Sequence, residues 1–138
     1  MEKNGMTIIE DCYNASPESM RAGLDVLCHI AKTKSLRPVA VLGDMRELGT
    51  IAADAHFSVG KSAAEHKIAK LITFGKDAEN IAAGAKTFGL SADAITVIRD
   101  TDDTENAVAI LKTVLQAGDA VLFKASRAVA LERLIRLL

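Results

Sequence analysis

Five short apolar runs alternate along the chain with five longer segments in which apolar residues recur every three to four positions. The runs lie near residues 6–11, 38–42, 70–74, 94–98 and 120–124, and their length and β-branched content predict strands. The longer segments carry helical stripes: Met20, Leu24, Leu27 and Ala31; Ala52, Ala55, Val59 and Ala63; Ile81, Ala85 and Phe88. Ala107, Ile110, Leu111 and Val114 form the fourth stripe, and Leu131, Leu134, Ile135 and Leu138 the fifth. Strict strand–helix alternation implies an α/β fold, an open and mainly parallel sheet with helices on both faces.

No linker, repeat or low-complexity stretch interrupts the pattern, so residues 1–138 read as one unit. Residues 1–5 are a polar lead placed directly before the first strand, as at a domain boundary. The chain is therefore expected to be a piece of a longer protein, and the sequence leaves open whether a sixth strand lines the edge of the sheet.

Composition narrows the partners. Hydrophobic residues make up 49%, aromatics 4%, and Trp is absent, so the core must be built of Ala, Val, Ile and Leu. The net charge is -1 with 17 scattered Lys and Arg, which leaves no electrostatic footprint for nucleic acid. No apolar run approaches the roughly 20 residues that span a bilayer, so no membrane is expected. Cys12 and Cys28 fit neither a metal-ligand spacing nor a disulfide framework, which points to the cytoplasm.

In open α/β sheets ligands bind beyond the carboxyl ends of the strands, which directs attention to the turns. Three are chemically rich. The first carries Asp11, Tyr13 and Asn14; the second Asp44, Arg46 and Glu47; the last Lys124, Ser126 and Arg127. Ser16 suits an N-cap and Pro17 the first position of the helix that follows. Phosphate-loop signatures are missing: Gly60-Lys61-Ser62 imitates the end of one, but Ala55 stands where its first glycine belongs, and the segment falls inside a helix.

Three motifs then align with one family. Asp11-Cys12-Tyr13-Asn14-Ala15-Ser16-Pro17-Glu18-Ser19-Met20, Val41-Leu42-Gly43-Asp44-Met45-Arg46-Glu47-Leu48-Gly49 with His56 downstream, and Lys124-Ala125-Ser126-Arg127 resemble the Rossmann-like C-terminal domain of the Mur ligases. The resemblance is strongest to the branch that adds D-Ala-D-Ala to UDP-N-acetylmuramoyl-tripeptide in peptidoglycan biosynthesis. It implies the third domain of an ATP-dependent, amide-forming ligase, acting as a monomer, with ATP phosphates and Mg held mainly by a central domain outside this chain. In that family the tripeptide carboxylate becomes an acyl phosphate that the dipeptide amine attacks. The isolated domain is expected to be inactive and supplies no catalytic or metal-binding residue of its own.

The resemblance also implies residue roles. Asp11, Tyr13 and Asn14 would meet the nucleoside, Asp11 on the ribose diol. Asp44, Glu47, His56, Lys124, Ser126 and Arg127 would meet the peptide substrates: Arg127 the dipeptide carboxylate, with Ser126, the following helix N-terminus and the charge of Lys124 in support, and Asp44 or Glu47 the amine. Each has a plainer alternative. Asp11 could end its strand, Lys124 snorkel, Arg127 lie solvated and His56 pack a helix, as His29 and His66 are expected to do; Cys12 reads as a small packing residue. Two positions depart from the family pattern. Ser16 replaces Asn and can still cap, whereas Ala125 replaces a Gly whose conformational freedom the turn could need. Rival readings are a receiver-like phosphoacceptor domain, for which Phe74-Gly75-Lys76 lacks the acceptor Asp, and a stand-alone nucleotide-binding module.

Overall fold

Alternation along the strands sorts their side chains into two cores. The computed structural model describes all residues from Met1 to Leu138, and its elements run β1 (Glu2–Lys3), β2 (Met6–Asp11), α1 (Pro17–Lys34), β3 (Arg37–Gly43), α2 (Ala52–Glu65), β4 (Lys70–Phe74), α3 (Glu79–Thr87), β5 (Ile95–Ile98), α4 (Thr104–Val114), β6 (Asp119–Lys124) and α5 (Glu132–Leu137). Val39, Val41, Ile72, Phe74, Val121 and Phe123 face α4 and α5. Ala40, Leu42, Leu71, Ala120 and Leu122 face α1, α2 and α3. Period two within each strand thus supplies both helix layers, and each layer buries one stripe of its helices.

The sheet order is β1-β2-β6-β3-β4-β5, with every pairing parallel except β1 with β2. The last strand therefore inserts between β2 and β3, pairing Asp11 with Lys124 on one side and Leu42 with Lys124 on the other. Three chemically rich turns from distant parts of the chain leave adjacent strands at one rim.

The polar lead supplies the sixth edge strand that the sequence leaves open. Glu2 and Lys3 form a short antiparallel strand on Thr7 and Met6. Asn4 and Gly5 turn the chain with φ of 53° and 79°, the positive pair that a two-residue hairpin favours and Asn-Gly readily adopts. Lys3 donates from Nζ to the Ile135 carbonyl at 2.8 Å and Asn4 from Nδ2 to that of Leu138 at 2.8 Å, which ties the hairpin to the end of α5.

Gly60, suspected of imitating a phosphate loop, has a packing role. It lies within α2, where a methyl group would strike the Ile81 carbonyl of α3, and Gly84 meets the Phe57 carbonyl in the same way. The two glycines let α2 and α3 cross at backbone contact. After β6 the chain makes a single 3-10 turn, Arg127–Val129, and Ala130 breaks it at φ 55° before α5 begins. The helix N-terminus expected beside Arg127 is therefore one short turn.

Candidate functional site

The first turn is shaped by its helix cap. Ser16 Oγ accepts the Ser19 N–H at 3.1 Å, and Ser19 Oγ accepts the Ser16 N–H at 2.8 Å, a reciprocal capping box that Pro17 extends. Serine at position 16 thus keeps the geometry. The residues before it project over the rim, and Tyr13 is 72% exposed with the Arg127 guanidinium stacked 4.8 Å from its ring centroid.

Beneath this pair sits an ion pair. The Lys124 ammonium donates to Asp11 Oδ2 at 2.6 Å and to the Asn14 carbonyl at 3.0 Å. Its side chain is 3% exposed while that of Asp11 is 44% exposed. Lys124 accordingly fastens the first turn to β6, and its charge is neutralised where a substrate would have to find it. The ammonium expected to support an anion site is thus committed within the chain, whereas Asp11 keeps Oδ1 without a partner there.

In the second turn burial divides the acids. Asp44 is buried, accepts the Ala78 N–H on Oδ1 at 2.7 Å and lies against Gly75, where any Cβ would collide with its carboxyl. Burial pushes this carboxyl above the ordinary carboxylate range, against the pull of the Ala78 N–H. Asp44 links the second turn to the third and is not free to take an amine. His56 is fully buried: Nε2 accepts the Met45 N–H at 2.9 Å, so the ring proton sits on Nδ1 and is donated to the Ala52 carbonyl at 2.6 Å. Both residues hold the backbone that presents Arg46 and Glu47, and neither touches open space as the family resemblance implied.

Ser126 joins the second and last turns. Its Oγ accepts the Arg46 N–H at 2.7 Å, and its own N–H donates to the Asp44 carbonyl at 3.0 Å. Ala125, the second departure, stays out of the left-handed region, so its turn carries no strain there. Its methyl is buried opposite Gly43, where a second Cβ would come within 2.7 Å. The alanine fits because glycine faces it.

Two clefts open on this rim. One, of about 560 Å³, is lined by Tyr13, Asn14, Arg46, Glu47, Ser126 and Arg127, with Ala15 and Ala128. The other, of about 450 Å³, is lined by Glu10, Asp11, Cys12, Tyr13, Arg127 and Glu132. The Tyr13–Arg127 stack walls both. Of the residues expected to meet ligands, Asp11, Tyr13, Asn14, Glu47, Ser126 and Arg127 line the clefts, while Asp44, His56 and Lys124 build the frame. The family resemblance gives no role to Arg46, Glu10 or Glu132. The position of Arg46 between two assigned acids was the available signal for it; Glu132 reaches the rim only because α5 starts beside it.

The second cleft is acidic. Burial, then the charges of Glu10, Glu132 and Asp11, push the Cys12 thiol up to about 12, which makes it a packing group. No group of three or more His, Cys, Asp or Glu is placed to hold a metal ion. A receiver-like reading fails here as well. The chain has Phe74-Gly75-Lys76 where the acceptor would stand, and the lysine is bound to Asp11.

Comparison with known proteins identifies the family. Residues 1–127 match the family model described as Mur ligase, glutamate ligase domain. The chain is 37% identical over 138 residues to the UDP-N-acetylmuramoyl-tripeptide--D-alanyl-D-alanine ligase of Treponema pallidum (strain Nichols), covering 96% of this chain and 28% of that protein. The enzyme of that name from Bacillus subtilis (strain 168) gives the same values, 37% over 138 residues, 96% and 28%. The chain thus spans 28% of the length of these curated relatives. The crystal structure of MurF ligase from Thermotoga maritima in complex with ADP superposes with a TM-score of 0.74 at 32% identity, over 99% of this chain and 29% of that one. A crystal structure of MurF from Acinetobacter baumannii gives 0.80 at 27% identity, over 100% and 29%.

Proposed function

This chain belongs to the Mur ligase family, to which its glutamate ligase domain assigns it, and from that premise we propose that it is the closing, amine-presenting domain of an ATP-dependent ligase joining D-Ala-D-Ala to UDP-N-acetylmuramoyl-tripeptide. The setting of that activity is cytoplasmic peptidoglycan synthesis, carried out by a monomer. One observation carries the reading: a cleft at the carboxyl rim of β2, β6 and β3 presents a guanidinium, a hydroxyl and a carboxylate together, Arg127, Ser126 and Glu47. A dipeptide zwitterion needs a donor fork for its carboxylate and an acceptor for its ammonium. Arg127 offers the first and Glu47, held at φ 63°, the second.

ATP, when bound, supplies the activation of the acceptor carboxylate. The residues here fit its nucleoside end, since Asp11 Oδ1 is uncommitted and suits a ribose diol, and the exposed Tyr13 ring and Asn14 stand beside it. They do not offer a magnesium ligand set, so the phosphates and Mg are assigned to another domain of the ligase. The chain's own contributions are binding, orientation and the exclusion of water when the rim closes on its partner domain. Alone, the chain is expected to be inactive and to bind the dipeptide weakly. No helix is long and apolar enough to cross a membrane.

The test is Arg127→Ala in the ligase that contains this domain. The KM for D-Ala-D-Ala should rise about 10-fold or more, the worth of a charged hydrogen-bonded pair, with little change in the KM for ATP. Equal effects on both substrates would contradict the role given to Arg127.

A further inference from the structure

Arg127 is not alone in the larger cleft. Arg46 leaves β3 four residues beyond Leu42, and Arg127 leaves β6 three residues beyond Lys124; Leu42 and Lys124 are register partners. Neighbouring strands therefore deliver two guanidinia to one cleft, with Glu47 and Ser126 between the same walls.

The backbone of Arg46 is pinned while its side chain is free. Its N–H goes to Ser126 Oγ at 2.7 Å, the preceding N–H of Met45 to His56 at 2.9 Å, and Ser126 N–H returns to Asp44. Its side chain is 52% exposed and its guanidinium makes no hydrogen bond within the chain. The nearest carboxylate, Asp44 Oδ2, lies 4.0 Å away, beyond hydrogen-bonding distance, and its other oxygen is already used by Ala78. Three guanidinia elsewhere in the fold are committed, Arg37 to Asp119, Arg99 to Glu79, Arg133 to Thr104 and Thr101, whereas Arg46 and Arg127 face one cleft without a hydrogen-bonded partner. Two like charges in a shared cleft favour an anion between them, and Glu47, the carboxylate of that cleft, pairs with neither guanidinium within the chain. A planar carboxylate, with two oxygens and four lone-pair sites, satisfies two forks at once.

We propose that Arg46 is a substrate-binding residue, the second guanidinium of a carboxylate clamp that with Arg127 grips the free C-terminal carboxylate of the amine substrate. It sets specificity for a free acid at that end, while Glu47 takes the ammonium at the other. The assignment rests on reading this cleft as the amine-substrate site.

The experiment uses the ligase that contains this domain, with D-Ala-D-Ala and its C-terminal amide as alternative substrates. Wild type should favour the free acid by about 10- to 100-fold in kcat/KM, the range for charged hydrogen bonds. Arg46→Ala should raise the KM for D-Ala-D-Ala about 10-fold, leave that for ATP within about twofold, and shrink the acid-over-amide preference. Arg46→Lys, which restores charge without the fork, should recover part of that preference. An Arg46→Ala enzyme that loses acid and amide equally, or that weakens for ATP instead, overturns the clamp. If Arg46→Ala is silent while Arg127→Ala raises the dipeptide KM, Arg46 is excluded and the reading of the cleft survives. If both are silent towards the dipeptide, the clamp and that reading fall together.

Discussion

Removing either partner of the Asp11–Lys124 pair should destabilise the domain by different amounts, and the exposed partner should cost more. Asp11→Ala leaves an ammonium whose side chain is 3% exposed with the Asn14 carbonyl as its sole remaining acceptor. Stranding a fully buried charge costs about 3–5 kcal/mol; because Asp11 is 44% exposed, its removal lets water in, and about 2–3 kcal/mol is expected. Lys124→Met keeps an unbranched stem over Gly23 and loses two hydrogen bonds, but the Asp11 carboxylate and the Asn14 carbonyl left behind are exposed and hydrate freely, so the loss is about 1 kcal/mol. The double variant should recover about 1 kcal/mol relative to the sum, because the stranded charge is gone. Urea unfolding at neutral pH measures this. The chain has no Trp and one Tyr, so circular dichroism at the helical band is the suitable probe. If Lys124→Met costs as much as Asp11→Ala, the ammonium is not buried as described and the reasoning fails. Asp11→Ala also disturbs the turn that carries Tyr13, whereas Asp11→Asn keeps an acceptor for Lys124, so the latter is the cleaner probe of ribose binding.

Three further outcomes follow from the same geometry. Gly43→Ala places a Cβ 2.7 Å from that of Ala125 and 3.2 Å from Val129 Cγ1; a loss of about 1–3 kcal/mol in urea is expected, and Ala125→Gly in the same chain should restore part of it. His66 donates from Nε2 to Asp25 at 2.6 Å and from Nδ1 to the Ser62 carbonyl at 2.6 Å, clasping α1 to α2. Burial lowers its pKa, but the Asp25 hydrogen bond, the Ser62 carbonyl and the nearby acids together leave it above 6.5. The clasp thus contributes fully below about pH 6.5 and is lost as pH rises through the raised folded-state value; Asp25→Asn should flatten stability across that window by less than about 1 kcal/mol, and an unchanged slope would exclude the clasp. With its thiol pushed up to about 12, Cys12 should resist alkylation in the native chain at pH 8 and react on unfolding in urea, as read by mass spectrometry; native labelling as fast as that of the unfolded chain would show the thiol to be accessible.

Legibility differed from one element to the next. All five main strands and five helices were readable because buried strands and amphipathic helices leave periods of two and 3.6 in the sequence. The hairpin at Asn4-Gly5 stays undecided in the sequence although Asn-Gly is a hairpin signal, since a two-residue strand is too short to show a period. Ala125 was suspected of strain on account of its departure from glycine, and the reason it fits, an absent side chain at Gly43, lies on another strand. The clefts drew most of their lining from the turns that the sequence had singled out. What it could not rank was which charges in those turns are free: Asp11 and Lys124 lie more than a hundred positions apart, and only their pairing removes the lysine from use.

The sequence by itself determined the number and kind of elements, the face each one buries and the turns that hold chemistry, because these depend on neighbours a few positions away. Tertiary structure decided the strand order, and with it the site. Buried parallel strands are apolar on both faces and look alike, so nothing local says that β6 inserts between β2 and β3. That single long-range choice sets Arg127 beside Tyr13 and Arg46 on a shared rim, and it spends Asp44, His56 and Lys124 on holding them there.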